Sequence, residues 1–92
     1  MAAHFEIIAT ASFSRSLKKL ASKNPEITER FESLLTALER DPLNLSRRYP
    51  IKKLTNVAVG QWRIRDGVYR LRYDVSGHTV VLHTINHRSN AY

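Results

Sequence analysis

The chain has 92 residues, 15 lysines and arginines against 8 aspartates and glutamates, and a formal net charge of +7. That length fits one small domain, residues 1–92, with one core rather than two. Without cysteine there is no disulfide framework, thiolate metal site or cysteine nucleophile, and the composition suits a reducing cytoplasm. Met1 to Ala11 holds His4 and Glu6 and has no basic lead, so it does not read as a signal peptide, and no run is long enough to span a bilayer. So basic a chain points to nucleic acid, an acidic protein partner or a membrane surface.

Phe5, Ile7 and Ala9 alternate with Glu6 and Ile8, which predicts a short first strand. Ser12 or Ser14 caps a helix in which Phe13, Leu17, Leu20 and Ala21 fall at helical spacing, with Arg15, Lys18, Lys19 and Lys23 largely on the other side. Asn24-Pro25-Glu26 ends that helix and starts another: Asn24 suits the N-cap, Pro25 the first helical position, and Glu26 the positive end of the dipole. Ile27, Phe31, Leu34, Leu35 and Leu38 form the buried stripe of this second helix. So tight a joint makes the two helices antiparallel neighbours. Asp41 to Pro50, with Pro42, Asn44 and Arg47-Arg48, is a loop from helices to sheet. After Ile51-Lys52-Lys53-Leu54, three strands follow, at about Gly60 to Arg65, Val68 to Val75 and His78 to Asn86.

Asp66-Gly67 between alternating apolar residues predicts a two-residue type I′ hairpin turn. Counting from it, Arg65 opposes Val68, Arg63 opposes Arg70 and Gln61 opposes Arg72, while Trp62, Ile64, Tyr69 and Leu71 pair on the other face. Opposed like charges cost up to about 1 kcal/mol, so an anion is expected to offset them. Ser76-Gly77 serves in the same way as the next turn, which pairs Tyr73 with Val80, Leu71 with Leu82 and Arg70 with His83. The expected result is a row of Arg63, Arg70 and His83 across three strands, with Arg65, Arg72 and His87 on the same face.

The fold class that follows is α+β: an N-terminal strand, an antiparallel helical hairpin, then a three-stranded antiparallel meander, with the helices packed on one sheet face. Trp62, Tyr69 and Tyr73 belong to the covered face and hence to the core. His78 falls in a turn and His4 at an edge. Lys18, Lys19, Lys23, Arg47, Arg48, Lys52 and Lys53 mostly form a solvated face, some of them able to hold nucleic-acid phosphates without sequence preference.

Gly60-Gln61-Trp62-Arg63-Ile64-Arg65-Asp66-Gly67-Val68-Tyr69-Arg70-Leu71-Arg72-Tyr73-Asp74-Val75, followed by Ile85-Asn86-His87-Arg88 and Tyr92, resembles the RelE/ParE toxin superfamily, and its RelE branch more than its ParE branch. The resemblance covers nearly the whole chain, including Tyr49-Pro50-Ile51-Lys52-Lys53-Leu54. Its most specific parts are the Gly-x-Tyr-Arg-x-x-Tyr core and the His-Arg-x-x-x-Tyr ending. It implies a RelE-like toxin of a type II toxin–antitoxin pair that cleaves mRNA on the ribosome without metal or other cofactor. The implied partners are a cognate antitoxin, ribosome and mRNA, and operator DNA through the antitoxin complex, with no membrane. The alternatives are a ParE-like protein that inhibits DNA gyrase without catalysis, and a toxin-like module that only binds antitoxin and operator DNA.

Cleavage by the RNA's own 2′-hydroxyl needs a base, cations around the phosphorane, and an acid for the leaving 5′-oxygen. Arginine forks match phosphate oxygens and stay charged. The resemblance carries catalytic roles to Arg63, Arg65, Arg70, His87, Arg88 and Tyr92, while Arg72, His83, Lys52 and Lys53 are candidates for RNA binding. Arginine is a poor general base. Some RelE-type enzymes carry lysines where this chain has Arg63 and Arg65, so proton transfer falls here to His83, His87 or Tyr92.

Overall fold

The computed structural model describes residues 4–88. It runs β1 (Glu6–Ala9), α1 (Ala11–Lys23), α2 (Ile27–Arg40), β2 (Ile51–Lys53), β3 (Trp62–Asp66), β4 (Tyr69–Ser76) and β5 (Thr79–His87). The strands form one sheet of order β1-β5-β4-β3-β2, with β1 parallel to β5 and the other pairs antiparallel. The α+β class and the expected meander hold. Ile51–Lys53, expected only as a lead-in, adds a fifth strand along β3.

The helices cover one face of the sheet. Phe13 and Leu20 of α1 and Ile27, Leu34, Ala37 and Leu38 of α2 are buried against Ile64, Tyr69, Leu71, Tyr73, Val80, Leu82 and Ile85. Apart from Ala37 and Ile85, these belong to the apolar stripes read from the sequence, because a helix period of 3.6 and a strand period of 2 each put them on one face. The caps differ from expectation. Thr10, not Ser12 or Ser14, is the N-cap of α1; its Oγ1 accepts the Phe13 N–H at 3.0 Å and donates to the Leu82 carbonyl at 2.9 Å. Asn24 closes α1 rather than opening α2, with its backbone N–H on the Leu20 carbonyl at 2.9 Å and its side-chain amide there at 3.1 Å. Glu26 is the N-cap of α2 without a capping side-chain bond; its carboxylate accepts the Tyr69 hydroxyl instead.

Both hairpins turn one residue later than expected. Asp66 pairs with Tyr69, so the turn is Gly67-Val68. Gly67, at φ +60°, is the one turn residue with positive φ, as a type II′ turn requires. Asp66 is held in the strand by Arg30, 2.8 Å away. Ser76 likewise pairs with Thr79 around Gly77-His78. A shift by two in pairing leaves every side chain on its expected face, so the arginine face survives while its partners change.

In β5 the register shifts again opposite Arg72 and Tyr73. Tyr73 faces Leu82, but Arg72 faces Thr84, which leaves His83 as the extra residue of a bulge. Beyond it Ile85 faces Leu71, Asn86 faces Arg70 and His87 faces Tyr69. The bulge turns Ile85 into the core and takes His87 to the helix-covered side, which corrects its expected place among the arginines.

Candidate functional site

On the sheet face away from the helices, the register stacks cations in two adjacent rows. Arg65 stands opposite Arg70, which stands opposite Asn86; Lys52 stands opposite Arg63, which stands opposite Arg72 and then Thr84. The expected single opposed pair is therefore two pairs, Arg63–Arg72 and Arg65–Arg70. The predicted row of Arg63, Arg70 and His83 does not form, because the turns and the bulge each move the register. Arg88 continues β5 past His87, exposed, with its N–H on the Val68 carbonyl at 2.6 Å, which places it at the Arg65–Arg70 end. Tyr92 lies outside the described residues.

The arginines are not equivalent. Arg72 spans to the 55–60 loop, with Nε on the Gly60 carbonyl at 3.0 Å and Nη2 on the Val59 carbonyl at 2.9 Å. The loop passes so close that a Cβ on Gly60, at φ +67°, would sit 3.2 Å from Arg72 Nε. Arg72 is thus a loop fastener before it is an RNA ligand. Arg70 is half-buried, and its Nε and Nη1 are buried with no hydrogen-bond partner among the described residues. Leaving a buried charged donor unpaired costs more than the about 1–3 kcal/mol of a neutral one. An anion's oxygens at Arg70 would remove that cost.

A third row carries an acid. Asp74 Oδ1 accepts the Gln61 N–H at 2.7 Å, and Oδ2 accepts the Gly60 N–H at 2.8 Å and lies 2.9 Å from His83 Nε2. Burial alone would raise the Asp74 pKa, but these two N–H groups and His83 outweigh it and hold the carboxyl below its ordinary value. Sequence reasoning missed Asp74. Its signal was an acid on the outer face of β4, two residues beyond Arg72 and across from a Gly-Gln step.

Two expected ligands face the other way. Lys53 pairs with Trp62 and lies over its ring, 5.6 Å from the centroid, so it packs on the helix side while Lys52 stays with Arg63. His87 meets the Tyr69 ring edge-on at 5.8 Å and lines a cleft of about 290 Å³ with Ser16, Lys19 and Lys23 of α1. Nearby, the Tyr69 hydroxyl bond holds the Glu26 carboxyl below its ordinary value and raises the tyrosine in return.

The sequence model of the family described as the ParE toxin of the type II toxin–antitoxin system, parDE, matches residues 7–92. No curated protein matches the chain. Among solved structures, the RelBE2 toxin–antitoxin complex of Mycobacterium tuberculosis is similar at 28% identity and a TM-score of 0.74, covering 92% of this chain and 99% of that one. The RelB–RelE antitoxin–toxin complex of Methanococcus jannaschii is similar at 26% identity and a TM-score of 0.70, covering 92% and 94%. The Escherichia coli DinJ–YafQ complex shares the fold at 18% identity and a TM-score of 0.74, covering 97% and 98%. With two helices on a sheet of this order and a family match over nearly its whole length, the chain belongs to the ParE toxin family of type II toxin–antitoxin systems, within the RelE/ParE superfamily.

Proposed function

We propose that this toxin is an endoribonuclease that cleaves ribosome-bound mRNA, the RNA 2′-hydroxyl attacking the adjacent phosphate. The observation that carries the reading is Arg70: a half-buried guanidinium with two buried nitrogens that have no hydrogen-bond partner among the described residues, opposite Arg65 and one row from Arg63. A phosphate held there would offset the like-charge cost, and the same donors would stabilise the extra charge of the phosphorane. Arg63 and Arg65 share that task, Arg88 adds charge at the Arg70 end, Lys52 extends the track along β2, and Tyr92 stacks on a base or moves a proton. Resemblance to the RelE branch over these positions supports the same reading. A cognate antitoxin covering the arginine face would silence the toxin by charge complementarity, and the complex would act in the cytoplasm.

The match to the ParE toxin model keeps a second reading, the ParE-like one implied by the resemblance, inhibition of DNA gyrase by protein contact, in which the arginines have no chemical role. Primer extension on mRNA from a translating extract decides between them. New 5′ ends in wild-type lanes, absent without ribosomes, support the nuclease; intact message together with double-stranded DNA breaks in a gyrase reaction overturns it.

A further inference from the structure

The Asp74–His83 pair has a geometry that loop fastening does not require. Arg72 already ties the 55–60 loop through two bonds, and Asp74 reaches it through the Gly60 and Gln61 N–H groups. His83 bonds the carboxylate rather than the loop itself. It takes a remaining position on the carboxylate, at 2.9 Å, with its side chain 22% exposed on the open face. It is also the extra residue of the β5 bulge, a feature that elsewhere re-aims side chains at sites of chemistry.

An ionised carboxylate only accepts hydrogen bonds, so His83 donates from Nε2. In the neutral imidazole this leaves the Nδ1 lone pair as the acceptor. Along β5, His83 is one residue from Thr84, the partner of Arg72, so its backbone lies about 3.3 Å along the strand from the Arg63–Arg72 row and roughly 10 Å from the Arg65–Arg70 row. A phosphate held between the two rows would lie within reach of arginines from both. The charged groups around His83 are Asp74 and Arg72 on β4 and Arg63 beyond it on β3; β1, on the other side, brings only Glu6, opposite Thr79.

We infer that His83 is the proton acceptor for the attacking 2′-hydroxyl and that Asp74 is the positioning residue that fixes its tautomer. The inference rests on the nuclease reading and deepens it. The O2′ proton passes to His83 Nδ1, O2′ forms a bond to phosphorus, and the P–O5′ bond breaks. The products are a 2′,3′-cyclic phosphate and a 5′-oxygen that takes its proton from water, while the imidazolium returns its proton to solvent. His87, on the covered side, takes no part.

The test is single-turnover cleavage of ribosome-bound mRNA across pH 5–9 by wild type, His83→Gln, Asp74→Asn and the control His78→Gln, each checked for a folded melting transition. His83→Gln is expected to lose about 10²–10⁴-fold in rate and the fall in rate at acid pH that wild type shows. Asp74→Asn keeps an amide oxygen at the Oδ2 position, where two N–H donors meet, so it holds the tautomer but removes the negative charge beside the imidazole, and it is expected to lose a smaller factor than His83→Gln. His78→Gln, in the Gly77-His78 turn, stays within about threefold. If His83→Gln keeps the wild-type pH profile, with rate and melting temperature falling together, the pair is a loop fastener and the inference fails while the nuclease reading stands. A wild-type protein that cuts no message overturns both.

Discussion

Arg65 and Arg70 stand directly opposite one another across β3 and β4, and Arg63 and Arg72 repeat the arrangement in the next row. Two like-charged pairs in adjacent rows are a standing cost to a domain of this size. The two rows differ in what offsets it: Arg72 is bonded to backbone carbonyls, whereas Arg70 has buried nitrogens without partners among the described residues.

That difference predicts opposite effects of one substitution. Arg70→Met removes repulsion and unpaired donors, and its melting temperature is expected to rise, by up to about 8 °C for roughly 1 kcal/mol in a domain this small. Arg72→Met frees the 55–60 loop and is expected to cost about 1–2 kcal/mol. Thermal melts of the two variants check this; a fall of several degrees in Arg70→Met would show that Arg70 is structural.

Acid should weaken the fold. Glu26, Asp41 and Asp74 are each held below their ordinary values of 4.5, 3.8 and 3.8. For Glu26 the first cause is the Tyr69 hydroxyl; for Asp41 burial works the other way and is outweighed by the Ser46 hydroxyl and the Ser46 and Leu45 N–H groups. A carboxyl depressed on folding contributes stability above its unfolded pKa, and that stability is lost as pH falls through the folded value. Urea midpoints are therefore expected to hold from pH 7 to about 5 and to drop below about 4.5. Tyr69→Phe and Asp41→Asn should each flatten the drop.

The cap of α1 is a third point of leverage. Thr10→Ala is expected to cost about 1 kcal/mol, or roughly 4–8 °C, because the Phe13 N–H loses its acceptor. Thr10→Ser should restore most of it, and Ser12→Ala and Ser14→Ala should change little. Equal losses at Ser12 and Thr10 would place the cap elsewhere.

Parity was legible in the sequence and register was not. Trp62-Arg63-Ile64-Arg65 and Tyr69-Arg70-Leu71-Arg72 alternate so cleanly that the core face and the arginine face follow from period 2 alone. Partner identity needs the turn, and each glycine sits at the first central position rather than the second, because a type II′ turn asks for positive φ only there. The bulge did leave a trace. Val80, Leu82 and Ile85 are spaced by two and then by three, while Tyr69, Leu71 and Tyr73 keep to two; one strand must then carry an extra residue, and that residue is His83. Asp74 showed only as an acid on the outer face of β4, because its partners, the Gly60 and Gln61 N–H groups and a bulged histidine, meet only after the chain folds.

The nuclease reading requires the arginine face to hold an mRNA phosphate through the cleavage step. Its most direct test is the single-turnover rate on ribosome-bound mRNA for wild type and Arg70→Ala at equal concentrations of folded protein. A loss of at least about 100-fold is expected, the scale of removing one transition-state donor, with the melting temperature equal to or above wild type. Cleavage by Arg70→Ala within twofold of wild type would contradict it.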